Sequence, residues 1–261
     1  MNSKIELFFN NLSNADTRLL LLDYDGTLAP FREERDLAYP YDGIEDRLNM
    51  LTASKATRVI IVSGRAINDI KPLLKLDKHP EIWGSHGWEH LDKDGLYSLV
   101  AGKEANLEQL EKFAKHLKGS GFEEHLEHKP VSVAVHFRGV NQDKVVAIKD
   151  SVSHYMNKIS GEPELILSEF DGGLELKIPG LNKGSVVRGV LEKHSQNAAV
   201  AYLGDDLTDE DAFRALPDDK PSVLSILVRL KPRPTAADTW IKPPEEVLEF
   251  LDRWIEIECP C

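Results

Sequence analysis

The sequence predicts an α/β fold, a doubly wound and mostly parallel Rossmann-like core that carries an inserted α+β unit. Two observations support this prediction. Short apolar runs alternate with helical patterns over roughly the first 100 residues and again after residue 180. Between these segments the order becomes helix–strand–strand–helix–strand–strand, which is typical of a small α+β unit. The predicted core therefore comprises residues 1–101 and 181–261, and the insert comprises residues 102–180.

The first core segment alternates short apolar runs with helical patterns. The run Arg58–Ser63 is rich in β-branched residues and almost continuously apolar, as buried parallel strands are. Ile44, Leu48 and Leu51 recur at helical spacing. The predicted strands are Leu19–Asp23, Arg58–Ser63 and Glu81–His86, and the predicted helices are Asp42–Ser54 and Ala66–Leu74.

The insert and the second core segment complete the set of predicted elements. In the insert, alternation along Val131–Phe137 is the pattern of a sheet with one exposed face. Its predicted helices are Glu104–Leu117 and Val140–Met156, and its strands are Phe122–Glu127, Val131–Phe137, Glu164–Ser168 and Leu174–Ile178, the last two joined through Asp171-Gly172-Gly173. The second core segment has a helix after Gly184, strands Ala198–Leu203 and Val223–Val228, and helices Asp209–Ala215 and Glu245–Ile257.

Composition excludes several classes of function. The chain has 261 residues, 41% hydrophobic content and a formal net charge of -12. An acidic protein is a poor partner for nucleic acid, although a metal ion and a few local cations still allow it to bind a phosphate ester. No apolar run reaches the ~20 residues of a membrane helix, and Met1–Asn14 does not resemble a signal peptide. Cys259 and Cys261 have no nearby zinc-binding partners in sequence. We therefore expect a cytoplasmic protein.

Two carboxylates, Asp23 and Asp25, follow the first predicted strand and enter a glycine turn. Alternation along a strand places residues two apart on the same side. Two close carboxylates are unfavourable unless a cation or shared chemistry compensates. Ligands of open α/β sheets bind at the carboxyl ends of the strands. Taken alone, this segment fits a catalytic pair or an Asx-type turn about equally well.

Two other segments offer groups that suit a phosphate. Ser63-Gly64-Arg65 ends the second predicted strand, where a hydroxyl and backbone N–H groups can point at an anion. Lys183 opens a helix, where it can meet a phosphoryl oxygen as a point charge. Taken alone, such segments are more often a simple turn and a solvated lysine.

An acidic stretch follows the predicted strand Ala198–Leu203. Between residues 205 and 211, only Leu207 and Thr208 are not Asp or Glu. Part of this stretch fits ordinary capping of the next helix. Since it holds more carboxylates than one cap needs, it also indicates a hard cation such as Mg²⁺, which takes oxygen ligands.

Together, the four segments resemble the motifs of the haloacid dehalogenase-like phosphatases, in the order of that family. Asp23-Tyr24-Asp25-Gly26-Thr27 resembles the first motif, Ser63 the second, Lys183 the third and Gly204-Asp205-Asp206 the fourth. The insert lies between the second and third motifs, where one class of the family has its cap. The resemblance thus implies a catalytic core with a cap that determines substrate specificity.

A narrower resemblance is to the trehalose-6-phosphate phosphatases. Leu203–Phe213 is similar to their Gly-Asp-Asp-x-Thr-Asp-Glu-Asp-Ala-Phe signature. Similar segments are Gly84-Ser85-His86-Gly87, Glu127-His128-Lys129, His136-Phe137-Arg138 and Leu174–Lys177. The resemblance extends from about Leu19 to Phe213, and the chain departs from the family pattern at Ser85, Lys177 and Ile178.

The resemblance implies a Mg²⁺-dependent phosphatase that hydrolyses trehalose 6-phosphate through an aspartyl-phosphate. Asp23 would be the nucleophile and Asp25 the general acid and base. The implied phosphate-binding residues are Ser63, Gly64, Thr27 and Lys183. The implied Mg²⁺ ligands are Asp23, the Asp25 carbonyl and Asp205, with Asp206 or Asp209 in support. The implied sugar-binding residues are Arg65, Glu127, Lys129 and Glu175.

Other interpretations of the same residues remain open. Glu127, Lys129 and Glu175 also fit an exposed strand pair with alternating charge. The same core would serve a phosphatase of sucrose 6-phosphate or of glucosylglycerol phosphate, or a non-catalytic sugar-phosphate sensor. The presence of every catalytic residue favours an enzyme over a sensor. Its implied partner in metabolism is a separate trehalose-6-phosphate synthase.

Overall fold

The structure is a computed structural model that describes residues 3–32, 34–101, 104–137, 139–159, 164–170, 172–194 and 197–258. The chain divides into two compact units, one formed by Met1–Leu99 with Leu181–Cys261 and the other by Val100–Gly180. The insert was predicted at residues 102–180. Arg138, Asp171, Cys259 and Cys261, which the sequence analysis singled out, lie outside the described residues.

Helices and strands alternate along most of the described residues. The strands are β1 (Thr17–Leu22), β2 (Thr57–Val62), β3 (Glu81–Gly84), β4 (Glu89–Leu91), β5 (Tyr97–Leu99), β6 (Leu126–Lys129), β7 (Ser132–His136), β8 (Ile166–Phe170), β9 (Gly173–Lys177), β10 (Ala198–Gly204), β11 (Val223–Val228) and β12 (Thr239–Ile241). The helices are α1 (Ser3–Leu12), α2 (Ile44–Ala53), α3 (Ile67–Ile70), α4 (Glu104–Gly119), α5 (Gln142–Lys158), α6 (Lys183–Glu192), α7 (Glu210–Ala215) and α8 (Glu245–Glu258). In the described residues, no helix is both long and apolar enough to span a membrane.

The first unit is built on an eight-stranded sheet of order β12-β11-β10-β1-β2-β3-β4-β5. All of its neighbouring strands are parallel except the pairs β3–β4 and β4–β5. The predicted α/β class, with a mostly parallel sheet, is confirmed. Since β1, β2 and β10 are adjacent and parallel, their carboxyl ends meet at one edge of the sheet.

The central strands are buried on both faces, which explains their continuous apolar sequences. In β1, Leu20 and Leu22 pack in one cluster with α1, α2 and α8, whereas Leu19 and Leu21 pack in another with α6 and α7. This alternation follows from the two-residue period of a strand. Trp254 of α8 is fully buried in the first cluster. Helices therefore cover both faces and hold the strand ends in a fixed arrangement.

Several boundaries differ from the predictions. The helix α1 was not predicted. The three-residue strands β4, β5 and β12 were also not predicted, since strands that short give almost no periodic signal. The predicted helix Ala66–Leu74 contracts to α3, because Pro72 has no backbone N–H with which to continue the helical hydrogen bonds. The predicted strand Phe122–Glu127 was wrong at its start, since Glu123–His125 form a 3₁₀ turn before β6.

The second unit contains a four-stranded antiparallel sheet of order β6-β7-β9-β8 together with α4 and α5. Val133, Val135 and Leu176 are buried on the sheet. Glu127 of β6 and Glu175 of β9 both lie in register with Ala134 of β7, so the two carboxylates share the opposite face. The sheet thus has one apolar and one charged face.

Candidate active site

Four predicted site residues come together at the carboxyl edge of the core sheet. Asp23 follows β1, Ser63 follows β2 and Asp205 follows β10, while Lys183 is the first residue of α6. The Asp23 backbone N–H donates to the Leu203 carbonyl at 2.9 Å, and the Ser63 N–H donates to the Trp83 carbonyl at 2.9 Å. These bonds continue the strand ladders past the ends of the strands, so the side chains of Asp23 and Ser63 start from fixed positions.

A buried ion-pair chain joins Lys183 to two carboxylates. Lys183 Nζ lies 2.6 Å from Asp23 Oδ1 and 2.7 Å from Asp209 Oδ1. The Lys183 side chain is only 3% exposed. Burial alone would lower the pKa of Lys183, but the two carboxylates outweigh it and raise that pKa above its ordinary value. Lys183 is therefore a fixed positive charge beside Asp23.

Asp209 organises the site through four hydrogen bonds. Its Oδ1 accepts from Lys183 and from the Tyr202 hydroxyl at 2.7 Å. Its Oδ2 accepts from the backbone N–H groups of Asp205 at 3.0 Å and Asp206 at 2.9 Å. Burial raises the pKa of Tyr202 well above its ordinary value, so its hydroxyl stays a donor. Tyr202 was missed from the sequence, where its only signal is an aromatic hydroxyl in the aliphatic run before Asp205.

The carboxylates of Asp23, Asp205 and Asp209 form a buried cluster in which one oxygen of each lies within 4.8 Å of the others. Burial raises the pKa of Asp23 to about 7, against the opposing effect of Lys183. Burial and the Asp23 and Asp209 charges together raise the pKa of Asp205 to about 8. One lysine does not balance three buried carboxylates, so the cluster fits a divalent cation with oxygen ligands.

Asp25 and Arg65 form a bidentate ion pair. Arg65 Nε and Nη2 each lie 2.6 Å from an oxygen of Asp25. Arg65 also donates to the Arg35 carbonyl at 2.8 Å, and its guanidinium lies 5.6 Å from the centre of the Tyr24 ring. The Arg65 side chain is 2% exposed and that of Asp25 is 26% exposed. Arg65, predicted as a sugar-binding residue, thus contacts the predicted acid–base residue.

The other predicted phosphate-binding residues surround Asp23 and Ser63. Thr27 Oγ1 lies 3.3 Å from Asp23 Oδ2, and Ser63 Oγ accepts from the Arg65 N–H at 3.1 Å. A side chain at Gly64 would overlap the ring of His86. His86 has a φ of 57° and its backbone N–H donates to the Ser63 carbonyl at 2.9 Å. Left-handed backbone is costly for residues other than glycine, and such strain is concentrated at functional sites.

Gly26 permits the close approach of the first and fourth motifs. Its φ is +84°, which L side chains rarely adopt, and a Cβ at this position would overlap the carboxylate of Asp205. The same Cβ would lie 2.8 Å from the ring of Phe31. Asp205 can therefore reach the turn after Asp23 only because residue 26 has no side chain.

In the second unit, the three predicted sugar-binding residues form one network. Lys129 Nζ lies 3.0 Å from Glu175 Oε1 and 3.7 Å from Glu127 Oε2. Ser132 donates to Glu175 at 2.8 Å, and His136 Nε2 lies 2.9 Å from Glu127. Burial opposes ionisation of Glu175, but Lys129 and Ser132 lower its pKa below the ordinary value. Glu175 is thus an ionised hydrogen-bond acceptor on the charged face.

Comparison with known proteins finds similar sequences and similar folds. The trehalose-phosphatase family matches residues 21–242. A trehalose-phosphate phosphatase of Mycobacterium marinum is 33% identical over 90% of this chain and 60% of its own length. A probable trehalose-phosphate phosphatase D of Arabidopsis thaliana is 30% identical over 91% of this chain and 67% of its own. The C-terminal domain of a Candida albicans trehalose-6-phosphate phosphatase has a similar fold, with a TM-score of 0.72, 23% identity and 96% of each chain covered.

Proposed function

Because this chain belongs to the trehalose-phosphatase family, we propose that it hydrolyses trehalose 6-phosphate to trehalose and phosphate in a Mg²⁺-dependent reaction. The observation that carries the proposal is the buried Asp23 carboxylate, paired with Lys183 and clustered with Asp205 at the carboxyl edge of the sheet. The first unit would perform the chemistry and the second would select the sugar. The chain spans about 60% of the length of the M. marinum relative, and its substrate is part of this proposal.

Asp23 is the proposed nucleophile. Its Oδ1 is held by Lys183, whereas Oδ2 lies 3.3 Å from Thr27 Oγ1. An Oδ2–phosphorus bond would form as the bond from phosphorus to the sugar oxygen breaks, leaving an aspartyl-phosphate. Lys183 and Ser63 would stabilise the charge on the phosphoryl oxygens, since catalysis of this reaction is mainly electrostatic.

Asp25 is the proposed acid and base. In the first step it would give a proton to the departing sugar oxygen. In the second it would take a proton from the water that attacks phosphorus, while the bond from phosphorus to Asp23 Oδ2 breaks and phosphate leaves. The bidentate contact with Arg65 occupies both carboxylate oxygens of Asp25. The first step therefore requires Asp25 to loosen this contact and carry a proton.

A divalent cation fits the buried carboxylate cluster. Asp23, the Asp25 carbonyl and Asp205 would hold Mg²⁺, with Asp206 or Asp209 in support. The ion would supply positive charge that offsets repulsion between the phosphate and the carboxylates. Asp209 already accepts four hydrogen bonds, so its contribution is mainly to orient Lys183 and the backbone at Asp205.

The charged face of the second unit is the proposed sugar-binding surface. Glu127 and Glu175 accept hydrogen bonds, Lys129 donates them, and sugar hydroxyls do both. A site built to pair a hydroxyl strongly rejects an analogue that lacks it. A separate trehalose-6-phosphate synthase would supply the sugar phosphate.

The first experiment is phosphate release from trehalose 6-phosphate, sucrose 6-phosphate, glucosylglycerol phosphate and glucose 6-phosphate, with Mg²⁺ and with EDTA. We expect metal-dependent release and a preference for trehalose 6-phosphate of about 100-fold, or 2.7 kcal/mol of transition-state binding. Preference for another sugar phosphate would keep the chemistry and change the substrate. Binding of a sugar phosphate without any release would indicate a sensor instead.

The nucleophile is tested with Asp23→Asn. This change keeps the shape of the side chain and removes the attacking carboxylate, so turnover should fall to background. The matched control is Asp94→Asn, because Asp94 is an exposed carboxylate paired only with its neighbour Lys93 among the described contacts. Substantial turnover by the Asp23 variant would contradict the covalent mechanism.

A further inference from the structure

Two arginines contact the backbone of the acidic stretch, residues 205–211. Arg229 follows β11, and its Nη1 donates to the Asp205 carbonyl at 3.1 Å. Arg233 lies farther along the connection to β12, and its Nη2 donates to the Asp206 carbonyl at 2.8 Å. Two guanidinium groups therefore bind two successive carbonyls beside the carboxylate cluster.

These contacts fix the peptide group between Asp205 and Asp206 at both ends. Its carbonyl accepts from Arg229, and its N–H donates to Asp209 Oδ2 at 2.9 Å. The preceding N–H, that of Asp205, donates to the same Asp209 oxygen at 3.0 Å. A peptide group held on both sides cannot rotate freely, so the direction in which the Asp205 side chain leaves the backbone is fixed.

Both arginines are themselves anchored. The Arg229 backbone N–H donates to the Ile241 carbonyl at 3.0 Å, and its carbonyl accepts from Trp240 Nε1 at 2.7 Å. Arg233 is ion-paired with the buried carboxylate of Glu210. Glu210 also accepts from Thr235 Oγ1 and from the Ala236 N–H, each at 2.8 Å. The connection between β11 and β12 is thus tied to the start of α7.

We propose that Arg229 and Arg233 are positioning residues that set the affinity of the carboxylate cluster for a divalent cation. This inference rests on the proposed function. An arginine bound to the Asp205 carboxylate would compete with the cation for the same oxygens. An arginine bound to the carbonyls holds the loop in place and does not occupy the carboxylate oxygens of Asp205. Groups that orient metal ligands in this way commonly alter metal affinity 10–100-fold, about one to two orders of magnitude.

The test measures Mn²⁺ binding to the free protein by electron paramagnetic resonance, together with the melting temperature without metal. The variants are Arg229→Met and Arg233→Met, which keep the apolar stem and remove the donors. We expect the Kd for Mn²⁺ to rise about 10-fold or more in each. Arg233→Lys keeps a charge with a single donor group, so its Kd should lie between wild type and Arg233→Met.

The matched control is Arg214→Met. Arg214 also pairs with Glu210, at 3.5 Å, but its side chain is 62% exposed. Its loss should leave the Kd for Mn²⁺ unchanged. In phosphate release, the Mg²⁺ concentration at half-maximal rate should rise in the Arg229 and Arg233 variants, while kcat at saturating Mg²⁺ returns close to wild type.

The outcomes separate the inference from the function on which it rests. If the Arg229 and Arg233 variants melt earlier but bind Mn²⁺ as wild type does, both arginines are only structural and the inference fails. If the wild-type protein binds no Mn²⁺, the proposed metal site itself fails. Should Arg233→Met not fold because Glu210 loses its ion pair with Arg233, Arg229→Met still decides the question, since Arg229 has no ion pair with Glu210 among the described contacts.

Discussion

Among single residues, Asp209 shows that one carboxylate of the buried cluster can hold the neighbouring groups in place. It uses both oxygens to hold Lys183, Tyr202 and two backbone N–H groups. Unpaired buried polar groups are costly, and here each contact also fixes a residue of the candidate site. Replacing Asp209 would therefore disturb the proposed nucleophile, through Lys183, and the proposed metal ligand Asp205, through its backbone.

Gly26 lies against the Asp205 carboxylate, and its replacement tests this close approach. Gly26→Ala should cost about 1–2 kcal/mol for the left-handed backbone and, in addition, weaken Mn²⁺ binding, because the new Cβ overlaps the Asp205 carboxylate. Urea midpoints and the Kd for Mn²⁺ measure the two effects separately.

The control for this variant is Gly95→Ala. Gly95 has a φ of +83°, nearly that of Gly26, but a Cβ there meets nothing within 4 Å. The Gly95→Ala variant should therefore be destabilised by backbone strain alone and should bind Mn²⁺ with the affinity of the wild type. Equal Mn²⁺ affinities for both alanine variants would show that Asp205 moves aside without consequence.

At the scale of elements, the end of α8 is tied to the first two strands through Glu258. This carboxylate accepts from Arg18, Ser54 and Thr57. Burial would raise the pKa of Glu258, but the three donors outweigh it and hold that pKa below the ordinary value of 4.5. The stabilisation is therefore complete above pH 4.5 and is lost as the pH falls through the lowered pKa of the folded state.

Glu258→Gln should reduce the free energy of unfolding by about 2 kcal/mol at pH 7, because three donors lose a charged acceptor. The difference from wild type should shrink as the pH falls below 4.5, since the wild-type carboxylate then also loses its charge. Urea unfolding over this pH range measures the effect.

Glu6→Gln is the matched control for the end of α8. Glu6 of α1 pairs with Arg253 of α8 at 2.9 Å, but the Glu6 side chain is 44% exposed. An exposed pair of this kind contributes about 0–1 kcal/mol. If Glu6→Gln reduced the free energy of unfolding as much as Glu258→Gln does, general charge balance, and not the buried contacts, would stabilise the helix.

The charged face of the second unit is the proposed sugar-binding surface, and Glu175 lies on it. Glu175→Gln should lower kcat/KM for trehalose 6-phosphate by roughly 10–100-fold, because a neutral amide pairs less well with sugar hydroxyls and with Lys129. Hydrolysis of p-nitrophenyl phosphate, which offers no sugar, should be unchanged.

Glu169→Gln is the control on the same sheet. Glu169 pairs with Lys149 at 2.7 Å and is mostly exposed. Its replacement should change the rate of hydrolysis of neither trehalose 6-phosphate nor p-nitrophenyl phosphate. If Glu175→Gln slows both substrates equally, the charged face contributes to folding or to chemistry and not to sugar selection.

At the scale of the whole molecule, metal binding should stabilise the unit that carries the carboxylate cluster. A ligand bound only to the folded state adds about 2.7 kcal/mol at a concentration of 100 times its Kd. Differential scanning calorimetry with Mg²⁺ should therefore show a rise in the melting temperature of the transition that includes Met1–Leu99 and Leu181–Cys261.

Asp205→Asn removes one carboxylate of the cluster and should abolish this rise. Ca²⁺, which prefers more ligands and longer bonds, should stabilise less than Mg²⁺. An equal rise in wild type and in the Asp205 variant would place the stabilising ion elsewhere on this acidic chain, whose formal net charge is -12.

Much of the core follows from local sequence. The apolar runs that form β1, β2, β10 and β11 predicted the strands to within one or two residues, because a strand buried on both faces is apolar at most positions. The positions of Asp23, Ser63 and Asp205 at strand ends follow from the same runs. Since parallel strands present their carboxyl ends at one edge, the sequence predicted that these three residues meet there.

Only the tertiary structure decided how those residues are paired. Arg65, predicted to bind sugar, binds Asp25, which lies 40 positions earlier in the chain. Arg229 and Arg233 reach the carbonyls of Asp205 and Asp206 across more than 20 positions. Periodicity reports the environment of each residue within its own element, whereas such contacts depend on strand order and on connections between elements. The sequence therefore determined the fold class and the edge at which the site forms, and the packing of distant segments decided the partner of each charge.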